Sequence, residues 1–159
     1  MAGSAAGFIA DQLVARQHAG VKQHQESLEV RTPGRGAIDL SRELARIVAT
    51  SGVRSGLAVV FCAHTSASLL IQENADPAVR RDLLAWLERL APDGDPRYEH
   101  SDEGPDDMAA HLRSSLGRSS ESIPIVAGTL VLGRWQALYL VEHRTAPHRR
   151  RVVVHVSGE

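Results

Sequence analysis

The chain has 159 residues, enough for one domain with a real core. Its 18 Lys and Arg stand against 19 Asp and Glu, a formal net charge of -1, which excludes the basic bias of a dedicated nucleic-acid binder. A single cysteine, Cys62, excludes an internal disulfide framework and a cysteine-rich zinc site, whereas eight histidines stand out in a chain with only 4% Phe, Trp and Tyr.

Residues 1–21, opening MAGSAAGFIADQLVAR, read as an N-terminal arm or short helix outside the folded domain, which is expected over residues 22–159. No basic residue precedes the first apolar stretch, a poor match to a signal peptide. No apolar run approaches the roughly 20 residues of a membrane helix. A cytoplasmic protein without membrane contact is the expectation.

Spaced Leu28 and Val30 suit a strand from Lys22 to Arg31, followed by the loop Thr32-Pro33-Gly34-Arg35-Gly36. Ser41 fits a helix N-cap, with Leu44, Ile47 and Val48 at helical spacing and Ser51-Gly52 as the stop. The apolar run Gly56 to Cys62 fits a buried strand. Asp76 before Pro77 marks a second helix, whose apolar face is Val79, Leu83, Leu84, Trp86, Leu87 and Leu90. An acidic loop, Tyr98 to Asp107, leads into a short helix over Met108–Leu116, closed by Gly117. The last third is strands: Ile123–Val126, Thr129–Leu132, Trp135–His143 and Arg149–Val156. Many strands with two or three helices predict an α+β fold, a compact single domain with a largely antiparallel β-sheet or sandwich.

Four segments can carry chemistry. In Ala63-His64-Thr65-Ser66-Ala67-Ser68, an imidazole sits among three hydroxyls directly after a buried strand, with Gln72-Glu73-Asn74 following. Clustered hydroxyls and amides there can hold phosphate oxygens, or simply satisfy their own turn. In the second segment, His100 and His111 bracket a run of acids, a workable divalent-metal set. The plainer reading is an exposed acidic loop in which Asp106 or Asp107 caps the helix. The third is Gly133-Arg134-Trp135-Gln136, a pocket wall or simply core. The fourth is Arg144 through Arg151, where strand alternation turns one or two arginines inward and leaves the rest in solvent. Cys62 beside His64 is better read as an inert buried thiol than as a nucleophile.

In order, the segments FCAHTSASLLIQEN, ENADPAVRRDLL, YEH, DDMAAHLRSSLG, IPIVAGTLVLGRWQALYLVE and RRRVVVHVSGE resemble the YjbQ-type family, the secondary thiamine-phosphate synthase family. The resemblance covers residues 22–159. It implies an α+β subunit of a homotrimer and a metal-dependent enzyme acting on a small phosphorylated substrate. That activity would join a hydroxymethylpyrimidine pyrophosphate to a thiazole phosphate, releasing pyrophosphate. Carried over by motif, the metal ligands are His64, His100 and His111, with zinc expected and magnesium or another divalent ion as alternatives. Substrate or phosphate contacts fall on Thr65, Ser66, Ala67, Ser68, Asn74, Trp135 and Gln136. The catalytic set is His64, Asp107 and Glu73. Ser66 replaces the family's usual second Thr, and Arg134 replaces the Thr of its G-T-W-Q, which bears on substrate preference. A non-catalytic metal or small-anion binding protein and a metal-assisted phosphoester hydrolase use the same residues.

Overall fold

A computed structural model describes residues 20–159. The expected N-terminal arm therefore lies almost entirely outside the described residues. The elements in chain order are β1 (Lys22–Thr32), β2 (Gly36–Asp39), α1 (Ser41–Ser51), β3 (Ser55–Cys62), β4 (Ala67–Glu73), α2 (Pro77–Leu90), α3 (Asp107–Leu116), β5 (Ser120–Val126), β6 (Thr129–Leu130), β7 (Gln136–Glu142) and β8 (His148–Gly158). The strands form a five-stranded sheet, β1-β8-β3-β5-β6, and a three-stranded sheet, β2-β7-β4. Every named strand pair is antiparallel, as the α+β reading predicts.

The main core joins the inward residues of both sheets to α1. Val60, Val154 and Val156 from the larger sheet meet Leu69, Leu138 and Leu140 from the smaller, with Leu44, Ile47 and Val48 from α1. Strand β7 is buried on both faces. Leu138 and Leu140 enter the main core, while Ala137, Tyr139 and Val141 pack under α2 with Leu70 and Leu84. A strand covered on both sides has no polar alternation to display, hence its continuous apolar run. The larger sheet differs: Ala58, Val60 and Cys62 of β3 are buried, but the alternate Leu57 and Phe61 stay 38% and 45% exposed. At the Gly56–Gly158 pairing the chains come so close that a Cβ at Gly56 would lie 2.1 Å from the Ser157 carbonyl oxygen.

The helix starts differ from expectation in detail. Ser41 is the first residue of α1, not its cap. Its N–H donates to Asp39 Oδ1 at 2.8 Å, and its own hydroxyl accepts the Leu138 N–H at 3.2 Å. Asp76 caps α2 as predicted, accepting the Ala78 N–H at 2.8 Å. The predicted apolar face of α2 is only partly covered: Leu87 is buried, but Trp86 and Leu90 stay exposed. No described helix is long and apolar enough to cross a membrane.

Candidate metal centre

Helix α3 places Asp107 and His111 four residues apart, on one face. His111 Nε2 lies 3.5 Å from Asp107 Oδ1. The acidic loop brings His100 back to the same carboxylate, Nε2 to Oδ2 at 2.8 Å, and the two imidazole rings stand 5.5 Å apart, tilted by 53°. The ligand-capable atoms of His100, Asp107 and His111 all lie within 4.8 Å of one another. Donors around a tetrahedral zinc, each about 2.0–2.1 Å from the ion, stand roughly 3.4 Å apart, so the spacing suits a cation.

Two surrounding groups prepare this cluster. His111 Nδ1 bonds the Thr65 backbone carbonyl at 3.1 Å. A carbonyl only accepts, so the proton sits on Nδ1, and in the neutral ring Nε2 keeps its lone pair toward Asp107. The Ser114 hydroxyl also donates to that carbonyl, tying the His64–Ser66 turn to α3. Arg144 donates from Nη1 to Asp107 Oδ1 at 2.6 Å and from Nη2 to the Glu103 carbonyl at 2.7 Å. The second Asp107 oxygen, Oδ2, is buried and has no hydrogen-bond partner. His100 is close to it but lies outside hydrogen-bond alignment. Buried carboxylate oxygens seldom go unbonded, because the lost solvation is not recovered.

Asp106 does not cap α3 through its side chain. Its Oδ2 accepts the Thr145 N–H at 2.7 Å and the Thr145 hydroxyl at 2.9 Å. Burial alone would raise this carboxyl, but the Thr145 bonds and the Arg144 guanidinium hold it down at about 2.

The other residues expected at the site are dispersed. His64 stands outside the His100–Asp107–His111 group. Its Nε2 accepts the Arg151 N–H at 2.7 Å, and burial followed by nearby Arg150 pushes its pKa below the usual imidazole value. Thr65 contributes its carbonyl. The Ser66 hydroxyl meets Arg150 Nη2 at 3.1 Å, and Ala67 is core at the start of β4. Ser68 faces away from the cluster, with Oγ 2.9 Å from His143 Nε2.

Glu73, Asn74, Trp135 and Gln136 gather at the other end of the β4–β7 ladder. Ala67 pairs with Glu142 at the near end and Glu73 with Gln136 at the far end. Six residue steps at about 3.3 Å put them roughly 20 Å away along the strand. There the Asn74 N–H donates to the Trp135 carbonyl at 2.9 Å, and Gln136 Oε1 accepts the Gly133 N–H at 2.8 Å. Trp135 is 55% exposed, with the Arg134 guanidinium 4.7 Å above its ring. Cys62 is buried, and burial pushes its thiol up, which suits an inert residue.

Sequence reasoning missed the buried ionic groups beneath the cluster. Glu142, fully buried, accepts Arg150 Nε and Nη2 at 2.7 and 2.6 Å, the Thr32 hydroxyl at 2.8 Å and the Arg144 N–H at 3.0 Å. Burial opposes its ionisation, yet these donors hold it below the usual glutamate value. Arg150 is the inward arginine that alternation allows in β8, between exposed Arg149 and Arg151, whereas Arg144 lies in the loop between β7 and β8; both are buried against protein carboxylates. The available signal was Glu142-His143-Arg144 continuing an apolar strand without a turn residue.

Comparison with known proteins agrees along the whole folded region. The family model for UPF0047 proteins, YjbQ-like, matches residues 26–159. A UPF0047 protein of Synechocystis sp. is 53% identical over 138 residues, 87% of this chain and 94% of that one. The UPF0047 protein YjbQ of Escherichia coli is 36% identical over 137 residues, 86% of this chain and 99% of its own. Among solved structures, an uncharacterised YjbQ/UPF0047 family protein of Clostridium acetobutylicum matches at a TM-score of 0.73 and 40% identity, covering 84% of this chain and 98% of its own. A YbjQ-like protein of unknown function from Sulfolobus solfataricus shares the fold at a TM-score of 0.80, covering 87% and 99% of the two chains at 24% identity. With matches this extensive in sequence and in fold, the chain belongs to the YjbQ-like UPF0047 family.

Proposed function

We propose that His100, Asp107 and His111 hold a divalent cation, zinc by preference, and that the protein is a metal-dependent enzyme acting on a small phosphorylated molecule. The observation that carries this reading is the buried Asp107 carboxylate between two imidazoles, its unbonded Oδ2 beside His100 and its Oδ1 3.5 Å from His111 Nε2. Two nitrogens and one carboxylate oxygen leave a coordination position for water or substrate, the pattern of a catalytic site. A bound divalent cation supplies Lewis-acid stabilisation of charge developing on phosphoryl oxygens.

The chain's own groups have separable tasks. The Thr65 carbonyl fixes the His111 tautomer. Arg144 bonds Oδ1 of Asp107 and leaves Oδ2 without a hydrogen-bond partner, so that Asp107 serves as a ligand rather than as a base. His64 is better suited to donating than to abstracting a proton. Its Nε2 lone pair is taken by the Arg151 N–H, which leaves the proton of the neutral ring on Nδ1, a donor for an anionic oxygen.

The activity to test first is thiamine-phosphate formation from hydroxymethylpyrimidine pyrophosphate and thiazole phosphate. A homotrimer belongs to the same reading. Leu57 and Phe61 give the larger sheet an apolar outer face suited to self-association. Glu73, Asn74, Trp135 and Gln136, roughly 20 Å along β4 from the cluster, would then meet a cation site only across a subunit contact. The test is metal content by elemental analysis, together with assays of thiamine-phosphate formation and of simple phosphoester cleavage, on wild type and on His111→Ala. Bound metal and pyrophosphate release in wild type, both lost in His111→Ala, support the proposal. Equal metal in both proteins overturns the site. Metal-dependent cleavage of simple phosphoesters, without thiamine phosphate, keeps the cation site and replaces the transferase with a hydrolase.

A further inference from the structure

Strand alternation turns Arg150 inward and leaves Arg149 and Arg151 on the outer face of β8. Glu142 neutralises the buried arginine. The outward pair has no such partner of its own. Antiparallel pairing with β1 sets Arg149 opposite Arg31 and Arg151 opposite Glu29, and all four residues are exposed. Arg31 and Arg149 share a single Glu29 oxygen, at 3.5 and 3.4 Å. Arg151 meets no carboxylate among the described residues. Its Nη2 reaches only the Ser27 hydroxyl, at 3.5 Å.

Three guanidiniums thus share one carboxylate, in a chain whose formal net charge is -1. Like charges directly opposite each other on a ladder repel, and Arg31 and Arg149 are such a pair. Ser27, Glu29, Arg149 and Arg151 rim an open cavity of about 240 Å³ on this ladder. Arg149 and Arg151 lie two residues apart on one strand, roughly 6.6 Å, so their long side chains can converge on one ligand.

The excess charge selects the ligand. A carboxylate would balance half of it, as Glu29 already balances one guanidinium. A phosphate monoester, close to doubly charged at neutral pH, would balance all of it. Its oxygens also match the planar N–H fork of arginine, and the Ser27 hydroxyl supplies a further donor. The cavity has room for a phosphate group and a small part of the molecule attached to it, not for an enclosed larger ligand. The Arg151 N–H is bound to His64 Nε2, yet none of these residues belongs to the His100–Asp107–His111 group.

We propose that Arg149 and Arg151, with Arg31 and Ser27 beside them, form a second binding site, separate from the metal centre, for the phosphate group of a small phosphomonoester. Arg151 is the principal contact, because its fork is the one left without an acid.

Inorganic phosphate is the probe, titrated into the full-length protein and followed by amide shifts in nitrogen-15 spectra. A reference titration uses sodium chloride at matched ionic strength. The expected result is a saturable set of shifts centred on Ser27 to Arg31 and Arg149 to Arg151, unchanged when a chelator removes any metal. Acetate should bind more weakly than phosphate. Arg151→Gln should weaken phosphate binding about tenfold, and Arg151→Lys should recover only part of that loss, since an ammonium lacks the fork. Circular dichroism checks that these exposed substitutions leave the fold intact. Equal shifts with chloride, shifts centred elsewhere, or undiminished binding by Arg151→Gln overturn the site. Shifts lost on chelation assign the anion to the metal centre and also overturn it. Flotation with vesicles of phosphatidylcholine and phosphatidic acid separates a lipid headgroup from a free phosphate. Vesicle binding without saturable binding of inorganic phosphate overturns the small-molecule ligand. None of these readouts needs turnover or a bound cation, so their failure is distinguishable from failure of the proposed activity.

Discussion

His111 donates from Nδ1 to the backbone carbonyl of Thr65 at 3.1 Å, across 46 residues of chain. That one bond joins two segments that chemistry alone had kept apart, the hydroxyl-rich turn after β3 and the histidine-bearing helix α3. It also sets which nitrogen of His111 is free to bind a cation, because the carbonyl claims the proton.

Zinc should raise the melting temperature of metal-free wild-type protein, since a ligand that binds the folded state stabilises it by mass action. His100→Ala and His111→Ala should lose this shift, and Asp107→Asn should retain at most a small part of it. Scanning calorimetry with and without added zinc is the measurement. An undiminished shift in Asp107→Asn would remove that carboxylate from the ligand set.

Arg144→Ala should destabilise the protein by about 3–5 kcal/mol, the range for breaking a buried ion pair. Asp106 and Asp107 are both buried, and Arg144 is the cation that meets them. Denaturant unfolding of metal-free protein at neutral pH reads the change. A loss under 1 kcal/mol would show that water reaches these carboxylates readily.

Glu142 and Arg150 should behave as a coupled pair. Either residue changed alone to Met leaves a buried charge without its partner, whereas the double change Glu142→Met with Arg150→Met leaves none there. The double variant should be more stable than the sum of the single losses predicts, by about 2 kcal/mol or more. Additivity in the cycle would contradict the coupling.

His143 should make stability fall on acidification. Its folded-state pKa is about 4, while the unfolded chain titrates near the ordinary 6.5. The unfolded state therefore binds more protons between these values, so stability is full above about pH 6.5 and declines as pH falls toward 4. From about pH 7 to about pH 5 the loss from this group is roughly 2 kcal/mol. His143→Gln should flatten that part of the profile in unfolding experiments at the two pH values. An unchanged slope would assign the acid sensitivity to other groups.

Leu57→Glu should reduce the proposed trimer to monomers without unfolding it. Leu57 is 38% exposed on the outer sheet face, so its replacement should cost a lone subunit little. Light scattering during size exclusion, with circular dichroism on the same sample, checks both parts. A trimer that survives the change would place the subunit contact elsewhere.

The segments legible from sequence are those whose local chemistry agrees with their surroundings. Asp76-Pro77 begins α2, Gly52 ends α1 in a left-handed conformation, and the apolar run ending at Cys62 is a buried strand. Ser41 misled because its hydroxyl serves the Leu138 N–H from another strand, a partner no local pattern announces. The apolar stripe of α2 is legible along the chain, but its coverage depends on neighbours, and Trp86 and Leu90 stay exposed.

Sequence by itself determined the antiparallel α+β class and the family, the first from periodicity and turn signals and the second from ordered motifs, whereas it grouped His100 and His111 with His64 and gave Asp107 a separate catalytic role. Tertiary structure decided the rest. It held His64 at Arg151, outside the His100–Asp107–His111 group, and turned Ser68 toward His143. It carried Glu73, Asn74, Trp135 and Gln136 to the far end of the β4–β7 ladder, and it buried Glu142, Arg144, Arg150 and Arg113. The physical reason is common to all of these. A side chain's partner across a sheet or between helices is set by register and packing over the whole chain, and a buried charge is tolerable only where those long-range contacts supply its counter-charge.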